Sequence, residues 1–261
     1  MSKKAILVSI NSDIGYFFAN KLIKKNYKII GTYRTYNKRL LDLKKKGVIL
    51  KKIDFSKNLS KKIIQNVVKD CNKWDLLLNF VGDQRPIGKI LDLKNSEIIQ
   101  SFNINFVSQF IITKEILKYR NKNSFTLYFA GGGVNNATKY YSSYTLSKIA
   151  LIKLVELLDF EIKDARFSII GPGWVNTKIH KATLKSNKAG KNKQLTKNKL
   201  KSKKLTSMEE IFIFFEWLYS EKKSISSGRN FSVVYDKSVN KLKKRLSKNQ
   251  NLFKLRRSGN L

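Results

Sequence analysis

Lys4-Ala-Ile-Leu-Val-Ser-Ile-Asn-Ser-Asp-Ile-Gly-Tyr-Phe-Phe-Ala-Asn-Lys-Leu-Ile-Lys-Lys25 is the stretch from which the fold can be read. The apolar, β-branched run over 4–10 predicts a buried strand, and the amphipathic spacing over 13–25 predicts a helix. Between them lies Val8-Ser9-Ile10-Asn11-Ser12-Asp13-Ile14-Gly15. A turn that holds a dinucleotide needs a tight bend, close backbone approach to the pyrophosphate and a helix N-terminus aimed at the phosphates. Here only Gly15 is a glycine, while Ser12 or Asp13 can cap the helix start. By glycine count alone, a dinucleotide turn is not separated from a plain strand, turn and helix.

The pattern repeats outward from this unit. Strands are predicted over 27–33, 47–54, 75–81, 124–130, 165–171 and 229–235. Helices are predicted over 38–46, 60–69, 95–119, 142–162 and 207–220. Strands separated by helices require right-handed crossovers, so the sheet is parallel and covered on both faces. The expected fold is α/β, one doubly wound domain over 1–236, with a basic lid at about 178–206 and a basic C-terminal tail over 237–261.

Composition narrows the function. Of 261 residues, 42 % are apolar, enough for a substantial core. A lone cysteine, Cys71, excludes an intrachain disulfide framework, and a lone histidine, His180, argues against multi-histidine metal sites and a Ser-His-Asp triad. No metal is expected. No stretch approaches the ~20 apolar residues of a membrane span, so a cytoplasmic protein is expected. The formal charge of +36 asks for a nucleic-acid reading, but it is unevenly placed. Residues 178–204 hold eleven lysines and no acid, and residues 237–257 hold nine Lys/Arg and no acid. Elsewhere a lysine-rich, solvated surface accounts for the excess, which leaves nucleic acid as a lesser reading.

Tyr144-Thr-Leu-Ser-Lys148 carries the chemistry. Four residues apart on a helix, Tyr and Lys share a face. A phenol with a pKa of about 10 needs a cationic neighbour to act as an acid/base at neutral pH, and Lys148 is placed to supply it. In this position, opening a helix after the fifth predicted strand, the motif resembles that of the short-chain dehydrogenase/reductase family. The first turn is similar to that family's Thr-Gly, three variable residues, then Gly-Ile-Gly. Val8 and Ser9 replace Thr-Gly, Asp13 replaces the middle glycine, and Ile14-Gly15 match.

The resemblance implies a Rossmann-type fold, a nicotinamide cofactor and a set of site residues. Tyr144 is the expected general acid/base, Lys148 its electrostatic partner and ribose ligand, and Asn105 the anchor of a water-linked proton relay. Ser9, Asn11, Ser12, Asp13, Ile14 and Gly15 form the phosphate turn. Tyr33 stands where an acidic residue would bind a ribose 2′-hydroxyl, and Arg34 follows it, favouring NADP(H) over NAD(H). Asp54 corresponds to the family's Asp near the adenine, and Asn79, Val81 and Gly82 to its Asn-Asn-Ala-Gly motif. Pro172, Gly173, Val175 and Thr177 match Pro-Gly-x-x-x-Thr, with the backbone at Val175 near the carboxamide.

One landmark is absent. The family places a serine about thirteen residues before the tyrosine to hold the substrate carbonyl, and Gly131 stands there. Backbone N–H groups of the glycine run over 131–133, or the Asn135 and Asn136 amides, are the substitutes considered. The lid suits a phosphorylated or nucleotide-linked small-molecule substrate, with His180 at its start either touching substrate or serving structure. The tail, mixing apolar and basic residues, suits packing on a neighbouring subunit in a dimer or tetramer. The expected function is hydride transfer between NADP(H) and a carbonyl or hydroxyl carbon. The alternatives are a catalytically weak cofactor-binding scaffold and a nucleic-acid binder on the same fold.

Overall fold

The computed structural model describes residues 2–202 and 204–257, so Lys203 of the lid and residues 258–261 of the tail lie outside the described residues. Seven strands form one parallel sheet: β1 (Lys4–Val8), β2 (Lys28–Tyr33), β3 (Ile49–Lys52), β4 (Trp74–Asn79), β5 (Arg120–Phe129), β6 (Ala165–Gly171) and β7 (Arg229–Ser232). Their order is β3-β2-β1-β4-β5-β6-β7. The order reverses between β1 and β4, where Val8 pairs with Asn79, and a crevice for ligands opens at the carboxyl ends there.

Eleven α-helices are found among the described residues. They are α1 (Asp13–Lys24), α2 (Lys38–Lys45), α3 (Lys61–Val68), α4 (Asn95–Phe102), α5 (Ser108–Leu117), α6 (Ser142–Glu161), α7 (Lys181–Lys185), α8 (Lys191–Lys201), α9 (Met208–Ser220), α10 (Lys223–Ser226) and α11 (Val239–Lys248). Both sheet faces are covered by helices, as in a doubly wound sheet. Ala5 and Leu7 of β1 pack with Phe18 and Leu22 of α1, Phe212 and Phe215 of α9, and Leu242 and Leu246 of α11. Ile6 and Val8 face the other way, towards Val67 of α3, Ile112 and Ile116 of α5, and Leu151 and Val155 of α6. Local sequence fixes the helix starts: Ser12, Asn37 and Ser60 each cap with a side-chain oxygen. Ser207 and Glu210 close a capping box before α9.

Four departures from the sequence reading have physical causes. The strand over 4–10 ends at Val8, because Ser9 takes a positive φ of 62° and turns the chain. The helix expected over 95–119 is broken by a π-helical turn at Asn103–Val107, so it appears as α4 and α5. The lid is largely helical, formed by α7 and α8. It is seated by Ala189, Ile87 and Tyr141, with Tyr140 and Ala182 packed against them.

The tail is the fourth. Its helix α11 buries Leu242 and Leu246 in the core of its own chain. Beyond it, Phe253 meets Phe231 edge-on at 5.6 Å, and the N–H of Asn230 donates to Phe253 O. The fully buried Arg229 guanidinium donates to the carbonyls of Leu246, Asn249 and Leu252. A buried charge needs such partners, and these tie the tail to the edge strand. The surface that the sequence assigned to a neighbouring subunit is therefore spent within the chain.

Candidate active site

A cavity of about 2020 Å³ opens at the carboxyl ends of β4, β5 and β6 under the lid. It is lined by Ser12, Asp13 and Ile14 from the first turn, Val81 and Gly82 after β4, Tyr144 and Lys148 from α6, and Pro172, Gly173, Val175 and Thr177 after β6. Gly131 and Asn135, singled out for substrate, and His180 also line it. Asn105, Asn79 and Gly15 do not, nor do Ser9, Asn11, Tyr33, Arg34 and Asp54 at the outer end of the crevice.

Tyr144 and Lys148 are buried a turn apart on α6, with 8 % and 3 % of their surfaces exposed. Lys148 Nζ donates to Val81 O at 2.9 Å and to Phe129 O at 3.1 Å, and lies 5.8 Å from the centre of the Tyr144 ring. Those carbonyls fix it at the ends of β4 and β5. Burial pulls the Lys148 ammonium down to about 7. In the sequence argument Lys148 supplies the cation that lets the phenol act as an acid/base. Burial, with the Asp83 carboxylate adding to it, pushes the Tyr144 phenol well above its ordinary range.

The glycine in place of the serine has a steric reason. A Cβ built on Gly131 would lie 2.7 Å from Tyr144 Cε1 and 3.1 Å from Tyr144 Cζ and Lys148 Cγ. The tyrosine ring occupies the space of the missing side chain.

Asn105 is fully buried and serves the loop rather than the cavity. Its Oδ1 accepts the N–H of Asp83 at 2.9 Å, and its Nδ2 donates to Asp83 O at 2.9 Å and Ser101 O at 3.0 Å. Beside the π-turn, Gln109 Nε2 donates to the Asn105 carbonyl at 2.7 Å. Such turns recur at functional sites, and this one aims Asn105 at the segment bordering the cavity.

At the first turn, Ser12 Oγ caps the Gly15 N–H at 3.0 Å, and a Cβ on Gly15 would fall 2.7 Å from Ser9 O. Only glycine allows that bend. Asn11 Nδ2 holds Thr35 O at 3.0 Å, which fixes the loop carrying the exposed Arg34. The charge of Arg34 reaches both Asp54 and Asp83. Asp54 lies two residues beyond β3 and accepts from the Ser56 N–H and hydroxyl. Tyr33 is half-buried and meets Tyr36 edge-on at 5.8 Å. The Asn79 side chain, 1 % exposed, has no hydrogen-bond partner at either end.

His180 is held by structure. It stacks on Trp174 at 5.2 Å, its Nε2 lies 2.9 Å from Val175 O, and burial lowers its pKa. Several cavity residues escaped the sequence reading. Tyr141 Oη meets Thr183 Oγ1 at 2.6 Å, and Thr183 donates to Gln84 at 2.9 Å, joining α7 to the turn before α6 and to the loop after β4. Arg85 Nε donates to Asp83 Oδ1 at 2.9 Å. Thr138 and Thr145 line the glycine run. Of these, only Thr145 carried a signal, its place inside the Tyr144–Lys148 spacing.

A nicotinamide nucleotide fits these residues. A Cβ on Gly82 would sit 3.3 Å from Ile179 and 3.9 Å from Lys148 Nζ, so the glycine keeps the backbone open towards the lysine. The Asp13 charge at the phosphate turn is met by Arg39 at 2.7 Å and by the Lys178 N–H.

Comparison with known proteins agrees with this fold. A family model described as enoyl-(acyl carrier protein) reductase matches residues 8–234. The chain is 28 % identical over 240 residues to the 3-oxoacyl-[acyl-carrier-protein] reductase FabG of Buchnera aphidicola (subsp. Acyrthosiphon pisum, strain APS), covering 88 % of this chain and 94 % of that protein. Its fold is similar to that of the KRED1-Pglu enzyme, with a TM-score of 0.78 at 19 % identity over 88 % of this chain and all (100 %) of that one. The crystal structure of BdcA in complex with NADPH gives 0.71 at 17 % identity, over 88 % and 92 % of the two chains. Sheet, site and matches together define an NAD(P)-dependent oxidoreductase. The chain belongs to the short-chain dehydrogenase/reductase family.

Proposed function

We propose that the protein reduces the carbonyl group of a phosphate-bearing substrate, with NADP(H) as cofactor. The observation that carries this reading is a buried Tyr144, one turn from Lys148, in a cavity whose lining is rich in cations. Arg85, Lys139, Lys181, Lys185, Lys188 and Lys199 all line it. Opposite charges near a low-dielectric cleft raise the local concentration of anionic ligands. Arg34, exposed at the end of β2 and unpaired among the described residues, supports NADP(H), because a guanidinium suits a 2′-phosphate. BdcA, similar in fold, is a protein solved with NADPH.

When bound, the cofactor supplies the hydride. Tyr144 delivers the proton to the carbonyl oxygen and recovers one from solvent. Lys148 donates towards the ribose side from its seat on Val81 O and Phe129 O. Asn105 acts by holding Asp83 and its loop against the cavity.

A 3-oxoacyl group on an acidic carrier protein is the second source of such a substrate. The FabG relative and the description of the family model favour it, and an acyl carrier arm contains a phosphodiester. The apolar face of α11 is spent on its own core, so the tail helix has no apolar face left for a membrane surface. No helix among the described residues is long and apolar enough to cross a membrane. The apolar Phe110 and Ile111 on α5 and Phe160 on α6 remain exposed and suit a second copy of the chain.

The test is a titration with NADPH and NADH by energy transfer from tryptophan, followed by turnover on acetoacetyl-CoA and on ethyl acetoacetate. Tighter NADPH binding that Arg34→Ala abolishes, and a KM at least 10-fold lower for the phosphate-bearing thioester, are expected. Binding without turnover on either compound would favour the scaffold reading instead.

A further inference from the structure

The cations along the cavity are held in different ways. Lys139, Lys181, Lys185, Lys188 and Lys199 are exposed, and none of them is ion-paired among the described residues. Arg85 is braced. Its Nε donates to Asp83 Oδ1 at 2.9 Å and its Nη2 to Asp83 Oδ2, while the Arg85 backbone N–H donates to Oδ1 at 3.0 Å. The Asp83 side chain is 16 % exposed and the Arg85 side chain 67 %, so the guanidinium is fixed yet open to a ligand. Its Nη1 has no hydrogen-bond partner among the described residues. The loop beneath is clamped as well. Asn105 holds both backbone polar groups of Asp83, Thr183 of the lid donates to Gln84, and the Gly88 N–H donates to Tyr140 O at 3.0 Å. Ile87 is buried with Tyr141 and Ala189. This loop starts at the reaction centre, since a Cβ on Gly82 would lie 3.9 Å from Lys148 Nζ, and Asp83 and Arg85 line the same cavity as Tyr144. At its other end Lys188 lies across Gly88, with Cδ 3.5 Å from where a Cβ would stand.

We infer that Arg85, braced by Asp83, is the anchor for the phosphate of the substrate and so selects phosphate-bearing compounds. The assignment presupposes the reduction of a phosphate-bearing carbonyl compound at this site. A guanidinium offers five N–H donors in a planar fork that matches phosphate, and Asp83 occupies only the Nε–Nη2 edge of it. An exposed lysine loses rotamer freedom when it grips an anion, whereas a guanidinium already ordered loses less. The Asp83–Arg85 pair has no net charge, so the two kinds of cation divide the task. The lysines draw anions towards the cavity through their summed charge, and Arg85 fixes where the phosphate sits. Asn105 belongs to the same arrangement, because it clamps the residue that braces the anchor.

The experiment compares wild type with Arg85→Gln and Lys199→Gln as full chains at saturating NADPH. The probes are acetoacetyl-CoA and acetoacetyl-N-acetylcysteamine, a thioester with the same acyl group and no phosphate. The readout is the ratio of their kcat/KM values, in which any change to the shared chemical step cancels. In Arg85→Gln the ratio is expected to fall about 10-fold or more through the KM for acetoacetyl-CoA, the effect of one lost charge-assisted contact. Lys199→Gln is expected to lower it by less than about 3-fold, as one exposed charge among several. A wild-type ratio in Arg85→Gln overturns the assignment, and so does an equal fall in both variants, which would report diffuse attraction alone. Removing Arg85 also leaves the Asp83 carboxylate unpaired, so the double variant Asp83→Asn, Arg85→Gln is measured beside it. Its ratio is expected to stay low; recovery of the wild-type ratio overturns the anchor and leaves Arg85 as the neutraliser of Asp83. Thermal unfolding checks each variant, and Arg85→Met carries the test if the glutamine disturbs the loop. A phosphate advantage that survives in Arg85→Gln removes Arg85 alone. A wild type with no phosphate advantage, or one that binds NADPH yet reduces neither thioester, removes the proposed function and the anchor with it.

Discussion

Asp13 Oδ2 accepts the backbone N–H of Lys178 at 2.6 Å, joining the phosphate turn to the first residue of the lid. The other carboxylate oxygen pairs with Arg39. In the first turn of α1 this charge interacts favourably with the helix N-terminus, and it stands beside the place a diphosphate needs. The carboxylate thus uses a donor and a helix end that an anionic ligand would otherwise use. Asp13→Gly is expected to tighten NADPH binding about 3- to 10-fold, because roughly 1 kcal/mol of like-charge repulsion is removed at near-surface dielectric. It is also expected to lower Tm by a few degrees, as the helix loses its N-terminal anion. Energy-transfer titration reads the first effect and thermal unfolding the second. Weaker NADPH binding in the variant would make Asp13 a structural latch only.

Ser9 occupies the left-handed region, with φ at 62°, at the position where the family carries glycine. Its backbone is fully used: the N–H donates to Thr32 Oγ1 at 3.0 Å and the carbonyl accepts from the Ser12 N–H at 3.0 Å. A left-handed conformation costs a non-glycine residue about 1–2 kcal/mol, partly offset by the entropy that glycine loses on folding. Ser9→Gly is therefore expected to stabilise the protein by about 0.5–1 kcal/mol. The check is denaturant unfolding at unchanged m-value, and a midpoint lower than wild type would contradict it.

Restoring the family's serine should harm this enzyme. The Gly131→Ser side chain would begin 2.7 Å from the Tyr144 ring, closer than atoms approach without one of them moving. Overpacking of this kind costs about 1–3 kcal/mol in a well-packed site. The expected outcome is a kcat at least 10-fold below wild type on acetoacetyl-CoA, with NADPH binding changed less. A gain in activity would show that the tyrosine can yield and that the site merely lacks the serine.

Much of this arrangement is legible in the sequence, for identifiable reasons. Strands such as Lys4–Val8 carry a continuous apolar run, and Ser142–Glu161 is a long uninterrupted helix, so the sequence pattern finds both. The Tyr144–Lys148 pair is a spacing, which sequence carries directly. The π-turn at Asn103–Val107 adds one residue to a helix without changing its composition, and leaves no periodic mark. The lid helix Lys191–Lys201 reads as a solvated lysine run because one buried residue, Thr196, anchors it. In the tail, Leu242 and Leu246 are four apart and did mark an apolar face, but nothing local says whether that face belongs to this chain or to another.

The buried Lys148 makes a pH prediction. Its folded pKa of about 7 lies well below the ordinary 10.5. Between those values the unfolded chain binds a proton that the folded chain does not, so this group adds stability as pH rises from about 7 towards 10.5. Below about pH 7 both states are protonated, and the full penalty of burying the ammonium is felt. Lys148→Met keeps a similar volume and removes the charge. The difference in Tm between variant and wild type, which cancels the many other titrating lysines, is expected to favour the variant most near pH 6 and to shrink steadily towards pH 10. The measurement is a series of thermal melts of both proteins without cofactor across that range. A difference independent of pH would mean that Lys148 holds its proton in the folded protein. The ion would then be stabilised by Val81 O and Phe129 O, and would stand beside Tyr144 as the cation that the sequence reading placed there.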